Sequence, residues 1–221
     1  MSLVLIRPES RPYLSSAGRA GAPPADADRA AAVLRADVER WSRWWLGLLG
    51  FGCASLGAFV AIGMVGTIAA LGLRPHPTDL VITVLAALLG LAGIALLVAL
   101  WWSGRRLLRA AAWWLRLPYA EGARVPRAGG WVRARLVNLE PRVLVRLVSG
   151  TLALLLAVSG IALVVRDVNE GTGPMTAAAA AVAAIALAAG AGQLGGVLRL
   201  VSALGEADPL WVRIRSRFTR G

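Results

Sequence analysis

The chain contains no lysine, a single cysteine, a single histidine and few charges of either sign, and each shortage removes a class of chemistry. With Cys53 alone there is no internal disulfide and no cysteine-based zinc cluster. The thiol falls inside an apolar run, where free cysteine behaves as a small buried hydrophobe. His76, flanked by two prolines, cannot furnish a histidine pair for haem or the several ligands of a zinc site, so no metal and no other cofactor is expected. The sequence also lacks paired carboxylates within an apolar run, a glycine-rich phosphate loop and a convergent Ser/His/Asp set, which points away from an enzyme. Only 16% of residues are charged against 57% hydrophobic, a membrane composition rather than a water-soluble one. All 24 basic residues are arginine, and Ala, Gly, Leu and Val dominate the apolar set, as expected of a high-GC bacterium. The opening MSLVLI is too short for the hydrophobic region of a secretory signal, so the spans themselves are expected to direct insertion.

What is present is length of apolar chain. Crossing a hydrocarbon core of about 30 Å takes about 20 apolar residues. Four charge-free runs meet that need, at about 46–73, 80–104, 147–165 and 175–198, the last being the least hydrophobic. They predict an all-α integral membrane protein of two hairpins. The outer connections, 74–79 (RPHPTD) and 166–174 (RDVNEGTGP), are short and nearly neutral. By contrast, residues 1–43 carry 7 arginines against 5 acids, residues 105–146 carry 10 against 2, and residues 199–221 carry 5 against 2. The positive-inside rule therefore places both termini and the central loop in the cytoplasm, within the inner membrane of a bacterium, with 22 of the 24 arginines on that side. Thr78 or Asp79 suits the cap of the second span, Pro141 the start of the third, and Thr172 or Gly173 with Pro174 the start of the fourth.

The nine tryptophans all fall on the cytoplasmic side of this scheme, which predicts chain lying along the inner leaflet. On a helix over 105–117, Arg105, Arg109 and Arg116 lie within about 40° of one another with Arg106 beside them. Leu107, Leu108, Ala111, Trp114 and Leu115 form the opposite side. This is the pattern of a helix in the headgroup plane, bent away from the second span at Ser103-Gly104 and ended by Pro118; the alternative is a span that simply continues. The expected lipid-facing residues are Arg105, Arg106, Arg109 and Arg116 with Trp44, Trp45, Trp101, Trp102 and Trp114. A second amphipathic stretch, 26–43, brings Leu34, Val38, Trp41 and Trp45 to one face and is expected to dock against the bilayer before the first span. Arg35–Glu39 and Glu39–Arg43 in it are spaced for i,i+4 pairs. Residues 1–25 have no periodicity and read as a flexible tail, and 199–221 as a basic tail.

Anionic lipid explains the arginines as well as nucleic acid would, at about 1 kcal/mol per basic residue near the surface, and nucleic acid is not an expected partner. No span carries a charge, so the usual mark of a transporter is absent. Gln193 is the one strongly polar side chain within a span and is expected to bond another helix. Packing chemistry is plentiful: Gly50, Ala54 and Ala58 in the first span and Ala188, Gly192 and Gly196 in the fourth follow the small-xxx-small spacing that lets helices approach closely. These surfaces close the molecule's own bundle or bind a protein partner or a second copy. The expected function is an accessory, scaffolding or regulatory subunit of a membrane assembly, the alternatives being a small transporter or channel and a sensor of membrane state.

Overall fold

A computed structural model describes residues 5–19, 22–120 and 141–205. The regular structure among them is entirely helical. Two 3-10 turns, Pro8–Ser10 and Pro24–Asp26, accompany α1 (Arg11–Ser16) and α2 (Ala27–Val38), which are followed by α3 (Trp41–Leu71), α4 (Pro77–Ala120), α5 (Pro141–Glu170) and α6 (Thr176–Gly205). Helices α3 to α6 are long and apolar enough to cross a membrane. The middle of the basic loop (121–140) and the end of the basic tail (206–221), with Trp131 and Trp211, lie outside the described residues.

Local chemistry sets the helix ends. Pro77 and Pro141 occupy first helical positions, where a missing N–H removes no hydrogen bond. Asp79 caps α4 by reaching back: its Oδ2 accepts from the backbone N–H of His76 at 3.1 Å in the manner of a capping box, its own backbone N–H donates to the His76 carbonyl at 3.0 Å, and His76 Nδ1 lies 2.9 Å from Thr78 Oγ1. The fourth long helix begins at Thr176 rather than at Pro174. Thr176 Oγ1 accepts from the Gly173 N–H at 3.0 Å and donates to Asp167 Oδ2 at 2.8 Å, so the turn is closed by the hydroxyl instead of the proline.

The chain divides into two compact units, one comprising Trp44–Ala99 and Val148–Leu194, the other Met1–Arg43, Leu100–Leu147 and Gly195–Gly221 so far as these are described. The first unit is built inside out relative to a soluble protein. Its buried positions are held by alanine (Ala54, Ala157, Ala178, Ala186), whereas Leu85, Leu91, Leu152 and Val158 are exposed. Small residues inside and large ones outside suit a solvent as apolar as leucine, where helices gain by close backbone approach rather than by hiding side chains from water. Helices α3 and α4 touch through glycine on both sides. A Cβ placed on Gly57 would clash with the Gly90 amide nitrogen and lie 2.5 Å from the Ala86 carbonyl oxygen, and one on Gly93 would clash with Ala54 and lie 2.6 Å from the Gly50 carbonyl oxygen. Helices α5 and α6 meet in the same way, with Gly160 against Ala183 and Gly190 against Leu154, a Cβ in either place falling 2.8 Å from its neighbour.

The second unit has a core of its own. Leu107, Ala110, Ala111 and Trp114 of α4 pack against Ile6, Ala22, Ala27, Ala30, Ala31, Leu34 and Val38, with Tyr13, Leu14 and Ala17 at the edge. This overturns three expectations. The N-terminal stretch is not a loose tail, because two 3-10 turns and α1 form there and Ile6 and Ser10 are buried. Leu34 and Val38 of the expected stripe pack into the core with α4, whereas Trp41 and Trp45 are exposed, and the helix stops at Val38 before a new one starts at Trp41. Finally, α4 passes through Ser103-Gly104 without a break and reaches Ala120, beyond Pro118. The Ser103 hydroxyl is buried and donates to the Leu100 carbonyl at 3.1 Å, which ties it to its own helix in place of a bend.

Candidate functional site

Besides the hydrogen bonds at the helix ends, two polar arrangements stand out among the described residues. The first is an arginine-centred clasp in the second unit. Arg43, at 6% exposure, donates to the Ser103 hydroxyl at 2.7 Å, to the Leu5 carbonyl at 3.1 Å and to the Leu100 carbonyl at 3.2 Å. One planar guanidinium thus ties the N-terminal segment, the start of α3 and α4, a task for which its fixed fork of donors is suited. Around it, Asp37 is fully buried, accepts the Arg7 N–H at 3.0 Å and lies 3.8 Å from the Arg40 guanidinium. Glu39 accepts from Arg35 Nε at 2.5 Å, and Arg146 of α5 donates to the Val38 carbonyl at the end of α2. Arg43 and Arg146 precede the apolar runs of their helices. Burial lowers the Arg43 guanidinium to about 10, partly countered by the Asp37 carboxylate, and it still carries its charge at neutral pH. Burial lowers Arg146 in the same way, with Glu39 opposing. The spacing of Arg35 and Glu39 was legible as an i,i+4 pair; the part played by Arg43 was not, since its other expected partner was Glu39 alone.

The second arrangement links three helices of the first unit. Trp44 Nε1 of α3 donates to Ser149 Oγ of α5 at 3.3 Å, and Ser149 donates to Gln193 Oε1 of α6 at 2.7 Å. The chain runs donor to acceptor from an indole to an amide, so each polar group finds its partner among the helices. Replacing Ser149 by Ala removes both bonds at once, and about 0.6–1.7 kcal/mol is the expected loss for hydrogen bonds between membrane helices. Thermal unfolding in detergent is the check: the transition should fall by roughly 2–6 °C, and an unchanged transition would show that the chain contributes nothing.

The residues expected at the lipid interface divide. Arg106, Arg109 and Arg116 are exposed along one side of α4, and Arg105 stacks 4.5 Å above the Trp101 ring. Trp101 and Trp102 are exposed, as is Trp45, whose ring meets that of Trp44 edge-on at 4.8 Å. Trp114 belongs elsewhere. It is 2% exposed, donates from Nε1 to the Tyr13 carbonyl at 3.0 Å and meets the Tyr13 ring at 86°. The apolar side of α4 between Leu107 and Trp114 is covered by the N-terminal segment of the same chain.

The packing residues divide as well. Gly50, Ala54 and Ala58 do face α4, Ala54 being fully buried. In α6 the buried register is Ala183, Ala186 and Gly190; Ala188 is exposed, Gly192 is half-buried, and a Cβ on Gly196 would find only Leu108, at 3.9 Å. In so alanine-rich a helix several small-xxx-small registers coexist, and Leu154 and Gly150 of α5 select among them. Among the described residues no three His, Cys, Asp or Glu side chains come together as a metal would require. No family model, curated protein or solved structure matches the chain, so the geometry of its own residues carries the functional argument.

Proposed function

We propose that the chain is a non-enzymatic integral membrane protein that acts as an accessory, scaffolding or regulatory subunit of an assembly in a bacterial cytoplasmic membrane, with both termini and the arginine-rich loop on the cytoplasmic side. One observation carries this reading: α3 to α6 keep alanine and glycine inward and large apolar side chains outward, while Trp44, Ser149 and Gln193 hydrogen-bond from helix to helix. Such a unit offers surfaces for neighbouring helices and no charged residue along its spans for a solute. The exposed Arg106, Arg109 and Arg116 give it an anionic-lipid contact through charge-assisted bonds to phosphate.

Affinity purification from native membranes in mild detergent tests the reading. A different membrane protein should copurify in stoichiometric amount together with anionic phospholipid, and the protein reconstituted into vesicles should pass no ion above empty vesicles. Recovery without any other polypeptide would sink the subunit reading, and a sustained ion leak would replace it by a channel.

A further inference from the structure

The unbroken course of α4 changes where its arginines sit. Lying in the headgroup plane, a helix would hold Arg106, Arg109 and Arg116 at one depth, all within reach of the single phosphate of an ordinary phospholipid. Here the same three residues continue the axis of the span, since α4 runs through Ser103 and Gly104 to Ala120. Trp101 and Trp102, exposed at the end of the apolar run, mark the level of the membrane interface. Measured from Trp102 at about 1.5 Å per residue, Arg106 stands about 6 Å, Arg109 about 10 Å and Arg116 about 21 Å further along the helix. The polar layer on each face of a bilayer is about 5–8 Å deep, and an average tilt of about 20° shortens these heights by less than about a tenth.

Side-chain direction sharpens the contrast. Helical side chains lean toward the N-terminus of their helix, which for this part of α4 is the side of the span. Arg106 and Arg109 thus reach back into the headgroup layer. An arginine extends about 7 Å from its Cα, so Arg116 stays well above that layer even when it leans its full length. The helix offers no second side to a headgroup, because Leu107, Ala110, Ala111 and Trp114 face the N-terminal segment. All three arginines are exposed. Among the described residues no acid pairs with Arg106 or Arg109, whose positions three apart bring two like charges together.

We propose that this side of α4 binds a lipid whose polyol headgroup carries a second phosphate beyond the first. Arg106 and Arg109 hold the phosphodiester at the bilayer surface, and Arg116 meets the outer phosphate across the ring of the headgroup. A lone phosphodiester brings one charge at one height and leaves Arg116 unused. Two stacked phosphates match the three arginines in both charge and height, through the bidentate bonds that guanidinium makes to phosphate. The inference rests on the membrane-spanning reading above and specifies the anionic lipid of that reading.

Phosphatidylinositol 4-phosphate and cardiolipin, each titrated into the full-length protein and counted by native mass spectrometry, separate stacked phosphates from paired ones, because both phosphates of cardiolipin lie at one height. Arg116→Gln should weaken phosphatidylinositol 4-phosphate by at least about tenfold and leave cardiolipin unchanged. Arg106→Gln combined with Arg109→Gln should weaken both lipids. Arg19→Gln combined with Arg29→Gln removes as much charge from exposed positions outside α4 and should weaken neither. Equal losses for the two lipids, no loss with Arg116→Gln, or displacement of the bound lipid by an equal concentration of soluble inositol 1,4-bisphosphate would each overturn the assignment, the last by giving the site to a free phosphate. Alkaline extraction of the protein reconstituted into vesicles separates the failures: protein that resists extraction yet shows no loss at Arg116 refutes this inference alone, and protein that is extracted refutes the membrane reading and the lipid site with it.

Discussion

Gly57→Ala is expected to destabilise the protein, by about 2–3 kcal/mol, although the same exchange in an isolated helix stabilises it by up to about 1 kcal/mol. The sign turns on what a single added carbon would meet. At Gly57 it would run into the backbone nitrogen of Gly90 and come within 2.5 Å of the carbonyl oxygen of Ala86. Neither atom sits at the end of a flexible side chain that could swing aside, so α3 and α4 must separate along the crossing. Separation then loosens the second contact one turn away, where Gly93 lies against Ala54 and Gly50. A chain of this size should show a fall of roughly 5–10 °C in the thermal transition, followed by circular dichroism in detergent that keeps it monomeric. Gly52→Ala is the matched control on the opposite side of the same helix, where the new carbon meets nothing; its monomer should melt at the wild-type temperature or slightly above. If Gly57→Ala melted no lower than Gly52→Ala, the glycine crossing would not be what holds the hairpin together.

Helix existence and placement were readable because they depend on hydrophobic length alone, which is a local property. The runs at 46–73, 80–104, 147–165 and 175–198 all lie within or closely overlap α3 to α6, and the largest difference is the amphipathic stretch 105–120, which continues α4 beyond its apolar run. The face of α4 that seeks cover was also readable: Leu107, Ala111 and Trp114 were on the expected side and are buried. What covers it was not. Amphipathicity records that a face avoids water, and an alanine-rich N-terminal segment satisfies that demand as well as a bilayer does. The sequence of that segment gave little sign of it, since Ala22, Ala27, Ala30 and Ala31 contact α4 through small side chains that raise no strong hydrophobic signal. Register in α6 was lost for a related reason, because spacing alone cannot choose among the small-residue rows of a helix made largely of alanine. The arginine clasp was hidden by an explanation that worked too well: the positive-inside rule accounts equally for every arginine outside the short outer connections, so nothing singled out Arg43 and Arg146 as buried structural groups.

Arg43→Gln is expected to release the N-terminal segment while leaving the four long helices in place. The guanidinium serves three acceptors, the Leu5 carbonyl, the Leu100 carbonyl and the Ser103 hydroxyl, and offsets the charge of buried Asp37. The shorter amide of glutamine carries no charge and cannot reach all three, so the Leu5 carbonyl loses this donor, the Leu100 carbonyl keeps only that of Ser103 among side chains, and the Asp37 carboxylate is left with Arg40 as its nearby cation. Removing one partner of a buried ionic contact costs about 3–5 kcal/mol. Most of that should appear locally, because the packing of α3 on α4 and of α5 on α6 uses glycine and alanine and does not pass through Arg43. Limited digestion with trypsin measures it directly through Arg19, which lies in the segment that the clasp ties down; Arg7 and Arg11 are each followed by proline and resist the enzyme in any state. When cleavage follows the population of the opened state, a loss of about 3 kcal/mol means a rate increase of more than about hundredfold, with little change in helix content. Arg43→Lys separates charge from geometry: it keeps the positive charge beside Asp37 but gathers its donors on one nitrogen, and its digestion rate should fall between the other two. Digestion of Arg43→Gln at the wild-type rate would mean that the Ala-rich contacts of α1 and α2 with α4 suffice by themselves to hold the segment down.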